Sequence, residues 1–210
     1  MKTVYFVRHG ESEGNAGPIF QGMDSPLTDE GKQQALDIAE RCSKLPVELL
    51  ISSPAKRTAE TAQAISERSH IPIEWSPLFL ERQRPLEVVG NRKDDPVMKA
   101  IEDQWFKSPD AREYRSKGEG FVAINERAGK ALALLGKKTE QHILVVTHGF
   151  FLRAMMAKML FGDALTLADL ERVMAGFRTE NTGITVITDD SWLPHMKWRI
   201  RVFNDHAHLG

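Results

Sequence analysis

Cysteine is nearly absent: Cys42 stands alone in 210 residues, which excludes an internal disulfide and fits a reducing compartment. No charge of one sign dominates either. With 28 Lys and Arg against 29 Asp and Glu, the formal net charge is −1. The chain therefore has no bulk field to hold nucleic acid or an anionic membrane, and neither is expected as a partner. Any anion site has to be made locally. Long apolar runs are missing as well. "MKTVYFV" meets Arg8 and His9 too early for a secretory segment, and "FFLRAMMAKMLFG" (150–162) is short and carries Arg153 and Lys158. The expected location is the cytoplasm. Repeats, low-complexity tracts and Gly/Ser linkers are absent too, so residues 1–210 are expected to form one domain.

What the chain does have is a regular alternation. Short apolar runs at 3–7, 47–52 and 142–147 are hydrophobic almost throughout, as strands covered on both faces of a parallel sheet would be. Further strands are expected at 184–188 and 196–203, and a weaker one at 71–75. In the 196–203 stretch, Trp198, Ile200 and Val202 alternate with Arg199 and Arg201, the pattern of an edge strand. Helical patterns lie between them. One opens on Thr28 as N-cap with Asp29 and Glu30 in its first turn, and carries Ala35, Ile38, Ala39 and Cys42 on one face, so Cys42 reads as a core thiol. Another is expected to start with Ser53 as N-cap and Pro54 at the first helical position. A third sets Phe121, Ile124, Ala128, Leu132 and Leu135 on a stripe, and the helix after 142–147 reads as buried all round. The expected fold is an α/β three-layer sandwich with a mainly parallel central sheet. The polar stretch 80–118 breaks the rhythm and reads as a lid of short helices.

Ligands of open α/β sheets bind beyond the carboxyl ends of the strands. Arg8 and His9 follow the first strand. Ser52, Ser53, Pro54 and then Arg57 follow the second, and Thr147, His148 and Gly149 close the third. Arg57, in the first turn of its helix, should lean back over the same edge, where free helix N–H groups are also expected. Two guanidiniums and two imidazoles around one point suit a compact dianion such as a phosphoryl group. A neutral imidazole is also a nucleophile that needs no separate base, provided its other nitrogen is held by a hydrogen bond. A backbone carbonyl is the nearest candidate, and Gly10 would allow that close approach.

"RHGESEGN", "FQGMDSPLTDEG", "SSPAKRTAET", "LERQRPLE", "THG" and the closing "NDHAHL", in that order, resemble the histidine phosphatase superfamily, the phosphoglycerate-mutase-like proteins, over Lys2 to about Leu209. The resemblance implies that His9 takes the phosphoryl group as a phosphohistidine. It makes Arg8, Arg57 and His148 the clamp on its oxygens and Glu81 the general acid that protonates the leaving oxygen and then activates water. Asn15 would contact the phosphoryl group, and Gln21, Gly22 and Gly149 would complete the substrate site. No metal and no cofactor are implied. The partner would be a small phosphorylated substrate; the oligomeric state is left open.

Mutase relatives carry an arginine- and proline-rich segment after the general acid, which "ERQRPLEVVGNRKDDPVMKAIEDQWF" does not resemble. Metal-independent phosphatase activity is therefore the primary expectation, with a phosphoglycerate-type mutase, or a regulatory phosphoprotein phosphatase or binding module, as alternatives. Arg84 and Pro85 stand where many phosphatase relatives have an aromatic residue and a glycine. Arg82, Arg84, Arg92 and Trp105 either line the pocket or decorate the lid. Asp205, His206 and His208 read as a solvated tail or local cap. Activity is expected to rise from alkaline toward mildly acid pH, because Glu81 must be protonated and His148 clamps better when charged.

Overall fold

The computed structural model describes residues 1–107, 118–190, 192 and 196–210, the side chains of 105–107 excepted. Among these residues a single six-stranded sheet forms, in the order β3 (Ile73–Trp75), β2 (Leu49–Ser52), β4 (His142–Thr147), β1 (Thr3–Arg8), β5 (Ile184–Thr188) and β6 (Arg199–Asp205). The first four run parallel and β5 runs antiparallel to both β1 and β6.

The apolar runs behave as expected of doubly covered strands. Val4 and Phe6 face one side of the sheet and Val7 the other, all fully buried. On Val7's side Leu50, Leu144 and Val146 pack against α2 (Asp29–Cys42) and α3 (Lys56–Ser69), through Ile38, Ala39, Ala62 and Ile65. On the other, Ile143 and Val145 meet α5 (Phe121–Lys137) and α6 (Gly149–Phe161). Leu170 and Val173 of α7 (Leu167–Gly176) extend this layer over α6. Each such side chain stabilises the fold by about 1.5–3 kcal/mol, so the strand ends are firmly mounted. Thr28 caps α2, accepting the Gly31 N–H at 3.0 Å. Burial pushes the Cys42 thiol up to about 12, making it an inert core group.

Two expectations change. The α3 helix begins at Lys56, after Ala55, instead of at Pro54. Ser53 stays in the strand exit, drawn there by a ladder bond from its N–H to Val146 O at 3.1 Å. In β6 the expected alternation slips. Ile184 pairs with Asp205, Val186 with Val202 and Ile187 with Ile200, so β6 accommodates two extra residues. These bulges reverse the pleat: Ile200 and Phe203 pack on the core while Val202 is left 39% exposed. The lid, among the described residues, is one helix, α4 (Pro96–Lys107), preceded by a turn whose Pro85 and Val88 are buried. Residues 108–117 of the expected lid lie outside the described residues.

Candidate active site

The parallel ladder carries the first, second and fourth strands to one edge in register. Arg8 pairs with Thr147, His9 N–H donates to Thr147 O at 3.0 Å, and Ser53 N–H donates to Val146 O at 3.1 Å. Beyond neighbouring β1 and β4 the chain turns to opposite faces, to α2 and α6, which opens the sheet edge where a ligand site is expected. His9 and His148 sit in this opening, 2% and 0% exposed, with ring centroids 5.2 Å apart.

The chemistry of its partners fixes the His9 tautomer. Nδ1 lies 2.7 Å from Gly10 O, which only accepts, so Nδ1 carries the proton. Arg57 Nε donates to Nε2 at 3.2 Å, so that nitrogen presents a lone pair. Burial first, then the charges of Arg57, His148 and Arg8, hold the imidazole well below its ordinary value of 6.5. The ring is neutral, with one nitrogen anchored and the other basic. Gly10 is required for a reason other than approach to the ring: a Cβ there would lie 2.5 Å from Gly31 O. Gly31 in turn packs its Cα against Glu11, where a Cβ would lie 1.9 Å from the carbonyl oxygen. The two glycines let the exit of β1 and the first turn of α2 touch backbone to backbone.

Three cationic or imidazole groups surround this nitrogen. Arg57, 2% exposed, also donates to Gly22 O at 2.9 Å, and burial lowers its guanidinium to about 10. Arg8 Nη1 donates to Thr179 O at 2.5 Å, while its Nε is buried without a partner. Gly149 makes room for it: a Cβ would lie 3.2 Å from Arg8 Nε and 2.8 Å from Thr179 Oγ1. Ser53, read in the sequence as a helix cap, stands 2.8 Å from His148 Nε2. Its Oγ also accepts the Ala55 N–H at 3.4 Å, and the opposite ring nitrogen, Nδ1, has no partner. That Nδ1 is the second buried, unpartnered polar atom of the site. Burial and the Arg57, Arg127 and Arg8 charges hold His148 well below 6.5, so it is neutral, not charged as expected.

The start of α6 is occupied by a carboxylate. Glu81 accepts N–H bonds from Phe151 at 3.0 Å, Phe150 at 3.3 Å and Arg82 at 3.0 Å. Glu81 thus takes up the Phe150 and Phe151 N–H groups of α6, and the Lys56 N–H of α3 is spent on Met23 O at 3.0 Å. Burial raises the Glu81 pKa, but Arg57, Arg84 and these N–H bonds outweigh it and the net shift is downward. Arg127 of α5 holds the segment in place, donating to Leu78 O at 2.9 Å and Leu80 O at 2.7 Å while paired with Glu119. Sequence reasoning missed Arg127, because nothing in an exposed-looking helical arginine signals carbonyl targets, Glu81 O among them, 46 to 49 residues away.

Asn15 is turned inward. Its Oδ1 accepts from Ser12 N at 2.7 Å and Ser12 Oγ at 2.6 Å, bracing the short helix α1 (Glu13–Ala16), and its Nδ2 reaches Asn181 Oδ1 at 3.5 Å. Asn181, also missed, donates to His9 O at 2.8 Å. Gln21, Gly22, Arg57, Glu81, Arg82 and Arg84 line a cleft of about 470 Å³ whose rim includes Met23, Leu86 and Val89. Arg82 and Arg84 thus belong to the cleft, both paired with Glu102 of α4. Arg92 is paired with Asp94 on the surface. The side chain of Trp105 lies outside the described residues. Among the described residues no group of three His, Cys, Asp or Glu is placed to hold a metal, and no helix is long and apolar enough to cross a membrane.

A doubly covered mixed sheet with two arginines and two buried histidines at one edge defines a class of phosphoryl-handling α/β protein. The chain belongs to the histidine phosphatase superfamily, branch 1, whose family model matches residues 4–206. It is 34% identical over 218 residues to a probable phosphoglycerate mutase GpmB of Escherichia fergusonii, covering all of this chain and 95% of that protein. Among solved structures it is similar to Bacillus stearothermophilus YhfR, with a TM-score of 0.80 and 25% identity over the full length of both chains. The phosphoserine phosphatase of Entamoeba histolytica, solved with 3-phosphoglyceric acid, shares the fold at a TM-score of 0.78 and 22% identity, again over both full chains.

Proposed function

We propose that the protein hydrolyses a small phosphate monoester through a phosphohistidine on His9. The observation that carries this reading is a neutral His9 whose basic Nε2 accepts from Arg57, part of the cleft lining, at a sheet edge where Arg8 Nε and His148 Nδ1 are buried with hydrogen-bonding capacity unused. Phosphoryl oxygens would supply those partners. They would also draw the Arg57 N–H off Nε2 and free the lone pair for in-line attack. Asn15 acts through Asn181 and the main chain of His9, and Gln21 and Gly22 line the mouth.

Glu81 begins as a carboxylate. An entering dianion takes over part of the arginine charge that keeps it ionised and adds negative charge beside it, so a proton is taken up with the substrate. That proton then passes to the leaving oxygen. His9 stays neutral far into the acid range. On an alkyl phosphate, whose leaving oxygen needs that proton, kcat/KM should therefore rise from pH 8 to about pH 6, and on p-nitrophenyl phosphate no acid limb should appear at the ordinary imidazole value near 6.5. A limb centred there would mean that His9 titrates normally and is not held as described.

The mutase alternative has support in the name carried by the 34% identical relative. Incubation with 3-phosphoglycerate and 2,3-bisphosphoglycerate decides between them. Phosphate release exceeding isomerisation supports hydrolysis, and the reverse assigns a mutase.

Arg84 supplies the specificity test. It lines the cleft, lies with its guanidinium carbon 5.4 Å from the Phe20 ring centroid and donates to Glu102 at 2.9 Å, where a second anionic group of a substrate would compete with Glu102. Arg84→Ala is expected to lower kcat/KM for a phosphate ester bearing a carboxylate by about tenfold relative to a neutral ester. Unchanged relative rates would remove Arg84 from substrate recognition.

A further inference from the structure

In the closing "NDHAHL", His206 is exposed and Asp205 Oδ1 makes a local cap by accepting the Ala207 N–H at 3.1 Å, as expected, but His208 is not solvated. His208 is half-buried and stands between α2 and the turn that holds the exit of β1. Arg41 Nη1, which only donates, lies 3.1 Å from His208 Nδ1. Nδ1 therefore accepts and Nε2 carries the proton, 3.0 Å from Thr182 Oγ1. Thr182 Oγ1 donates onward to Asn181 O at 2.7 Å. Every donor in this relay points the same way, from α2 to the 180–183 turn. Asp205 orients its origin by pairing with Arg41.

The turn receiving the relay is strained. Thr182 is β-branched and fully buried, yet has φ of 56°, a conformation that persists only where its surroundings enforce it. Thr182 N–H donates to Arg8 O at 2.9 Å, Arg8 N–H donates to Gly183 O at 3.3 Å, and Asn181 Nδ2 holds His9 O at 2.8 Å. From the same closing segment, Asn204 Oδ1 accepts the Glu180 N–H at 2.7 Å. It sits where a Cβ on Gly183 would lie 2.2 Å away. The closing segment thus grips the turn at both ends, and the turn grips the main chain of both Arg8 and His9.

We propose that His208 is a positioning residue for His9: through Thr182 and Asn181 it holds the backbone that aims the imidazole at the phosphoryl group. This rests on His9 being the nucleophile. The predicted loss falls on the phosphorylation step and not on binding, because His208 touches nothing that lines the cleft. Small misplacements of a reacting group are costly, so rapid-quench measurement with p-nitrophenyl phosphate should show His208→Ala slowing His9 phosphorylation about tenfold, with KM within about twofold of wild type. Thr182→Val, which removes the hydroxyl and keeps the shape, should do the same. Combining the two should cost no more than either alone.

His208→Gln offers an acceptor to Arg41 and a donor to Thr182, and should stay within about threefold of wild type. The proposal is overturned if folded His208→Ala phosphorylates His9 within about twofold of the wild-type rate, if the glutamine variant is as slow as the alanine variant, or if the two losses multiply. Should His208→Ala not fold, Thr182→Val and His208→Gln decide by the same criteria. Failure of the phosphohistidine reading looks different: His9→Ala would keep turning over, and this proposal would fall with it, whereas an essential His9 beside an indifferent His208 overturns the proposal alone.

Discussion

Alanine at His9 is expected to abolish turnover of p-nitrophenyl phosphate, with a loss of about four orders of magnitude or more, the scale seen when a covalent nucleophile is removed. Wild-type protein quenched during turnover should carry phosphate that is stable to alkali and released by acid, as a phosphoramidate is. The alanine variant should carry none. The structural cost should be modest, because the main-chain bonds of His9 to Thr147 and Asn181 do not involve the ring. A folded His9→Ala protein with wild-type turnover would refute the assignment.

Glu81→Gln is the second large effect, and it depends on the leaving group. A poor leaving group such as an alkoxide needs the proton, so kcat on an alkyl phosphate should fall by about 10²–10⁴-fold. Nitrophenolate leaves without protonation, so loss of the phosphorylation rate on p-nitrophenyl phosphate should stay within about tenfold. Equal losses on both substrates would make Glu81 a charge partner of Arg57 and Arg84 and not an acid. The substitution also carries a pH signature in stability. The native Glu81 pKa is depressed, so its carboxylate stabilises the fold above the ordinary value of 4.5, and that contribution fades as pH falls below it. Chemical denaturation of the glutamine variant should lose part of this dependence.

The hydrophobic pattern made the sheet legible. Runs apolar on both faces mark β1, β2 and β4 because only strands covered by helices on each side bury both sets of side chains. That same inference delivered His9, Arg57 and His148 to one edge, since parallel strands expose their carboxyl ends together. It went wrong where the ladder competed with a local preference. Ser53 and Pro54 make a good helix start, yet the strand bond to Val146 held Ser53 back and left its hydroxyl for His148. It went wrong again in β6, where bulges that no alternation reveals moved Phe203 inward and Val202 out.

The protonation states needed the tertiary structure. A sequence shows a histidine and a glutamate but not their dielectric surroundings. Burial among arginines is what keeps His9 and His148 neutral, and the charges of Arg57 and Arg84, helped by N–H bonds from Arg82 and the first turn of α6, keep Glu81 ionised. The same holds for Arg127, Asn181 and His208, whose targets lie 46, 172 and 26 residues away along the chain. Local periodicity, turn chemistry and motif order therefore determined the layers, the strand ends and the residues gathered there. Only the folded chain decided which nitrogen of His9 carries the lone pair, which carboxylate occupies the helix start, and what holds the His9 backbone still. These depend on contacts between distant segments, which no local pattern encodes.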